Sequence, residues 1–135
     1  MNDVVGGHCC QVAYNLRFFS LNRKHLMSYL KFLNLVKAIR TLPSFPGIDP
    51  VEEQLLNHLA VQWSKGTLVS VVETMNILTD QSPSTVHRRI KSLRKKGYIG
   101  FQENAEDNRV KYIVPTALST KYFKKMEECL VAALR

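Results

Sequence analysis

The sequence predicts a mainly α fold with one small β-hairpin (an α+β arrangement), on three observations. The 135-residue chain is 45% hydrophobic and 22% charged, the balance of a folded globular domain rather than a disordered one. Apolar residues recur at helical spacing in several separate stretches. One polar turn, Glu103 to Arg109, divides two short runs rich in aromatic and β-branched residues. The length suits one domain with a real core and is too short for two ordinary ones.

The elements follow in order. Met1 to Asn22 is read as an N-terminal arm without a predicted structure, because Gly6-Gly7 interrupts any helix; the folded domain is expected over 23–135. From Arg23 to Leu42, Leu26, Leu30, Leu33, Val36 and Ile39 recur at helical spacing between Lys24, Lys31, Lys37 and Arg40, predicting a first helix. Pro43 to Gly47 stops it, since two prolines remove backbone donors and a glycine permits a turn. Asp49-Pro50 then reads as a helix cap followed by proline in the first turn, with Glu52 and Glu53 favourably placed against the helix dipole. That helix is expected to reach Ser64, burying Val51, Leu55, Leu56, Leu59 and Trp63. Thr67 to Val69 is expected as a short strand and Ser70 to about Leu78 as a helix, broken by Thr79 to Ser82.

Ser82-Pro83 repeats the cap-and-proline start, and Val86, Ile90 and Leu93 form a single buried stripe. Gly97 ends this helix. Tyr98 to Gln102 and Val110 to Val114 are expected as the strands of the hairpin, and Thr116 to Leu134 as a closing helix with Leu118, Tyr122, Met126, Leu130 and Val131 on one side. Cys129 is expected to be packed on that helix.

The net charge of +8 is unevenly spread: Ser82 to Lys125 carries +8 and Met1 to Leu42 carries +5, whereas Pro43 to Gln81 carries −4. Such concentration points to a polyanion, nucleic acid before an anionic membrane. At about 100° per residue, the face of the Ser82 to Lys96 helix opposite its buried stripe presents Ser84, His87, Arg88, Lys91 and Lys95. Arginine can grip guanine O6 and N7 with two hydrogen bonds, hydroxyls can donate to bases or phosphates, and lysine attracts the backbone regardless of sequence. Arg88 is the first choice for reading a base. Thr85, Arg89, Ser92 and Arg94 flank that face and are expected at phosphates. A basic helix alone can be no more than a solvated face; its position before a hairpin, in the order helix, short strand, helix, turn, helix, hairpin, is what makes it a winged helix-turn-helix.

The stretch Ser82-Pro-Ser-Thr-Val-His-Arg-Arg-Ile-Lys-Ser-Leu-Arg-Lys-Lys-Gly-Tyr-Ile99, followed by Asp107-Asn-Arg-Val-Lys-Tyr-Ile-Val114, resembles the MarR family of bacterial transcription regulators. The resemblance covers a third to a half of the chain. It implies a regulator that binds double-stranded DNA as a homodimer, through flanking helical extensions; the cysteine usage fits a reducing, cytoplasmic setting. It also implies that Arg109, with Lys111 nearby, works at the wing tip in the minor groove, and that Asp107 pairs with an arginine to hold the wing in shape. Narrow minor grooves concentrate negative potential, so an arginine there is also physically favoured. Where the family shows Leu-Thr and then a glycine, this chain has Pro115-Thr116-Ala117-Leu118-Ser119. Long terminal helices in the family frame an effector pocket; here only Arg23 to Leu42 and Thr116 to Arg135 are available, and no effector is assigned.

Other classes find less support. Cys9, Cys10 and Cys129 are odd in number and lack a Cys-x-x-Cys spacing, so neither a disulfide framework nor a four-ligand zinc site is expected. His8 with the adjacent Cys9 and Cys10 is a poor start for a tetrahedral metal site. No nucleophile with a base, and no carboxylate pair in apolar surroundings, suggests an enzyme; no cofactor is expected. No secretory signal and no membrane-spanning run is visible. The alternative to a transcription regulator is a winged helix used as a protein-interaction or assembly module, or as a replication or plasmid-maintenance DNA-binding protein.

Overall fold

A computed structural model describes the backbone of residues 8–135 and the side chains of residues 23–135. Its first element is α1 (His8–Arg40), so the helix expected from Arg23 begins at His8 and takes in most of the segment read as an arm. No glycine or proline lies between His8 and Arg40, and a nucleated helix propagates through any such stretch. The side chains of His8, Cys9 and Cys10 lie outside the described residues, and with them any metal reading of that cluster.

The start of α2 (Pro50–Ser64) is a reciprocal cap: the Glu52 N–H donates to the Asp49 carboxylate and the Asp49 N–H donates to the Glu52 carboxylate, each at 2.9 Å. Such a box satisfies two backbone donors that the helix itself leaves free. After the turn at Gly66 come β1 (Val69–Ser70) and α3 (Val71–Met75). The helix expected to reach Leu78 ends at Met75, because Asn76 turns its side-chain amide back onto the Val72 carbonyl at 3.1 Å and closes the turn. Asparagine competes with helical backbone bonding in this way.

Next is α4 (Pro83–Lys96), capped by Ser82 and ended by Gly97, whose φ of 88° lies in the left-handed region that favours glycine. The wing consists of β2 (Ile99–Glu103) and β3 (Lys111–Pro115), each one residue later than expected. The last element, α5 (Ala117–Leu134), starts from Thr116 in a second kind of box: the Thr116 N–H donates to Ser119 Oγ at 2.9 Å and the Ser119 N–H donates to Thr116 Oγ1. The Thr116 hydroxyl also donates to the Gly97 carbonyl at 2.6 Å. The departure from the family pattern at Pro115 to Ser119 thus joins the end of α4 to the start of α5.

The three strands form an antiparallel sheet in the order β1-β3-β2, with Ile113 at its centre opposite Val69 on one side and Phe101 on the other. Ile113 is fully buried and faces the apolar stripes of α2 and α4: Leu55, Leu56 and Leu59 from one, Val86, Ile90 and Leu93 from the other. Tyr122 of α5 closes this core edge-to-face against Phe45, Tyr98 and Phe123, with ring centroids 5.6 to 5.8 Å apart. Trp63 packs against the same cluster, as expected, and its indole N–H also donates to the Ile113 carbonyl at 3.1 Å, tying α2 to the wing. Cys129 is buried.

The terminal helices pack on each other but leave apolar surface outside. Leu26, Leu30 and Leu33 of α1 are 42 to 46% exposed, and Leu130, Val131 and Leu134 of α5 are 46 to 74% exposed. Among the described residues no helix is long and apolar enough to cross a membrane.

Candidate nucleic-acid interface

The helix α4 is oriented by what it buries. With Val86, Ile90 and Leu93 fully enclosed, the opposite side of the helix lies in solvent, and Ser84, Arg88, Lys91 and Lys95 are exposed there side by side. These four are therefore brought together as the spacing predicts. Ser82 organises the start of the helix: its Oγ accepts from the Thr85 N–H and sits 2.8 Å from Thr85 Oγ1 and 3.2 Å from Ser84 Oγ. Thr85 is half-buried in this hydroxyl cluster.

The wing stands beside α4. Arg109 and Lys111 are exposed on it, and with His87, Lys91 and Arg94 they line an open groove of about 630 Å³ between α3, α4 and the wing, floored by Val71, Met75 and Phe101. His87 is half-buried at the wall of that groove. Arg94, exposed at the same groove, lays its guanidinium over the Phe101 ring, 4.4 Å from the centroid. The wing turn is closed by Asn104 N–H to the Val110 carbonyl and Val110 N–H to the Asp107 carbonyl, both 3.0 Å.

Three further side chains singled out in the sequence make contacts within the protein. Asp107 shapes the wing by accepting the Arg109 backbone N–H at 3.0 Å; among the described residues it forms no ion pair with an arginine. An aspartate can make this local turn bond without any distant partner. Arg89 is turned away from the outer face and pairs with Asp49 at the start of α2, with 2.7 Å between Nη1 and Oδ2. Ser92 faces the same way, its hydroxyl beside Glu52.

Lys96 was not singled out from sequence, yet its Nζ lies 2.6 Å from Oε2 of Glu52, a side chain with no exposed surface. Burial by itself pushes the Glu52 carboxyl up, but the hydrogen bonds from Lys96 and the Asp49 N–H, with the Ser92 hydroxyl nearby, outweigh it and leave the group below the ordinary carboxylate range. The signal for these contacts was present: Arg89 and Lys96, seven residues apart, share one line along α4, and Asp49 and Glu52 share the start of α2. Spacing within one helix does not reveal which helix it meets.

No family description and no curated protein matches the sequence. Solved structures do match the fold. The heme sensor protein PefR from Streptococcus agalactiae, in complex with heme, is 22% identical with a TM-score of 0.55, over 87% of this chain and 74% of that one. A putative MarR-like transcription regulator from Bacillus cereus is 22% identical with a TM-score of 0.51, over 96% and 81%. Reduced AbfR bound to DNA is 18% identical with a TM-score of 0.50, over 91% and 81%. The fold is the winged helix of MarR-like transcription regulators, extended by helices at both ends.

Proposed function

We propose that this chain is a MarR-like transcription regulator that binds double-stranded DNA in a sequence-specific way, as a homodimer. The observation that carries the reading is the outer face of α4, where Ser84, Arg88, Lys91 and Lys95 are exposed together beside a wing bearing Arg109 and Lys111. A helix of this kind enters the major groove, and the residues nearest its N-terminus reach base edges. Arg88 reads a base; Lys91 and Lys95 meet phosphates; Arg109 and Lys111 meet the minor groove or the adjacent backbone. AbfR, which has a similar fold, is bound to DNA in its structure.

The uncovered apolar surface supports the dimer. Leu26, Leu30 and Leu33 of α1 and Leu130, Val131 and Leu134 of α5 are left exposed in the single chain. Two copies related by a two-fold axis would bury this surface in a shared interface. The same surface favours the second reading, an assembly module docking another protein. Selection of bound duplexes from a random DNA pool decides between them. A palindromic consensus that is lost in Arg88→Ala supports the regulator; weak, salt-sensitive and sequence-blind binding rejects it in favour of docking.

A further inference from the structure

Two carboxylates at the start of α2 engage two cations of the proposed reading helix. Asp49 holds Arg89 at 2.7 Å and Glu52 holds Lys96 at 2.6 Å. Stability alone does not require the arrangement. Glu52 is fully enclosed and its Oε1 makes no hydrogen bond; the Nε of Arg89 is likewise buried without a partner. Taking charge out of water is costly, and buried ion pairs can often be replaced by apolar side chains without loss of stability.

What the two pairs supply that apolar packing does not is direction. The stripe Val86, Ile90 and Leu93 is held by contacts with little angular preference, whereas the Lys96 hydrogen bond to Glu52 is narrow in distance and angle and the Arg89–Asp49 ion pair needs close approach. Seven residues separate Arg89 from Lys96, so the two anchors stand about 10 Å apart along one side of the helix. Rotation of α4 by about 20° would sweep a side-chain tip some 6 Å from the axis through about 2 Å and break both anchors. The same displacement at Arg88 would destroy a two-bond contact to a base.

We propose that Asp49 and Glu52 are positioning residues for DNA reading: by holding Arg89 and Lys96 against α2, they set the rotation at which Arg88 and its neighbours meet the bases, and they keep those two cations off the DNA. This rests on the DNA-binding reading above. The clamp acts on discrimination between sequences rather than on attraction to DNA in general, because neither clamped cation contributes to the outer face.

The test is the pair variant E52Q/K96M, which removes the buried carboxylate charge together with its partly exposed cation and leaves an amide oxygen to accept the Asp49 N–H. Binding is measured to the duplex selected by the wild type and to a scrambled duplex of equal length, alongside thermal melting. The expected result is a melting temperature close to wild type, unchanged affinity for the scrambled duplex, and a fall of about tenfold in discrimination, the size of one lost base contact. Should this variant lose its melting transition, D49N/R89Q, altered at a half-exposed pair, carries the same test. Folded variants with wild-type discrimination overturn the clamp alone. A wild type that selects no consensus overturns the DNA-reading proposal, and the clamp with it.

Discussion

The guanidinium of Arg94 rests 4.4 Å from the centroid of the Phe101 ring, so the last turn of α4 and the first strand of the wing are joined by a stacked cation. In the proposed reading helix and wing grip DNA together, and this contact joins them inside the groove. Replacing Phe101 with Leu keeps apolar volume but removes the ring face. A loss of about 0.5 to 1 kcal/mol is expected, the usual value of such a contact near the surface, read from the denaturation midpoint. DNA affinity should fall by more than that loss implies, because the wing loses its registration; an affinity unchanged within error would show that the stack does not set the wing.

Arg88 and Lys95 stand on the same face but should fail differently. Arg88→Ala is expected to cost about 1 to 3 kcal/mol on the best duplex and to relax preference at one position. Lys95→Ala should weaken all duplexes alike and lower the slope of log affinity against log salt by about one. Identical behaviour of the two variants would contradict the division into base reader and phosphate contact.

Asp107 shapes the turn that carries Arg109 by accepting its backbone N–H. Asp107→Asn retains a side-chain oxygen for that bond and should bind DNA nearly as the wild type does, while Asp107→Ala should bind several-fold more weakly with little change in melting. Equal weakening of both variants would show that the negative charge, and so a partner cation, is what matters.

Tyr98 has no exposed surface and donates its hydroxyl to the Pro46 carbonyl at 2.6 Å. Burial, with smaller contributions from Tyr122 and Glu52, pushes the phenol from 10.0 up to about 12. A value raised in the folded state means that the unfolded chain releases this proton first. Its contribution to stability is therefore whole below pH 10 and is lost as the pH rises through about 12. Tyr98→Phe should be less stable at neutral pH by about 1 kcal/mol for the lost hydrogen bond, yet lose less stability between those limits. Parallel stability profiles for the two proteins in denaturant would disprove this role.

Leu130 and Leu134 are 51% and 74% exposed on the outer side of α5. Changing both to Glu should leave the winged-helix core folded, while sedimentation shifts from dimer to monomer and affinity for a palindromic site drops. A wild-type protein that sediments as a monomer would remove the basis for two-fold symmetric sites.

Local chemistry in the sequence determined the helix caps at Asp49 and Ser82, the left-handed end at Gly97, the hairpin and the exposed basic line Ser84, Arg88, Lys91 and Lys95. Each depends on residues a few positions apart, and a buried stripe dictates its own opposite face. Tertiary structure decided the rest. Arg89, Ser92 and Arg94 carry the same chemistry as their neighbours and were read as phosphate contacts, but their partners Asp49, Glu52 and Phe101 arrive from other elements. The stripe Leu26, Leu30 and Leu33 has the periodicity of a core helix and yet is exposed in the single chain, because periodicity reports that a face is apolar and not what covers it. The run from His8 is helix as well, although Gly6-Gly7 precedes it directly. The physical reason is common to these cases: a cap or a stripe is settled by short-range geometry, whereas the partner of a charge or of an apolar face is settled only when distant segments meet.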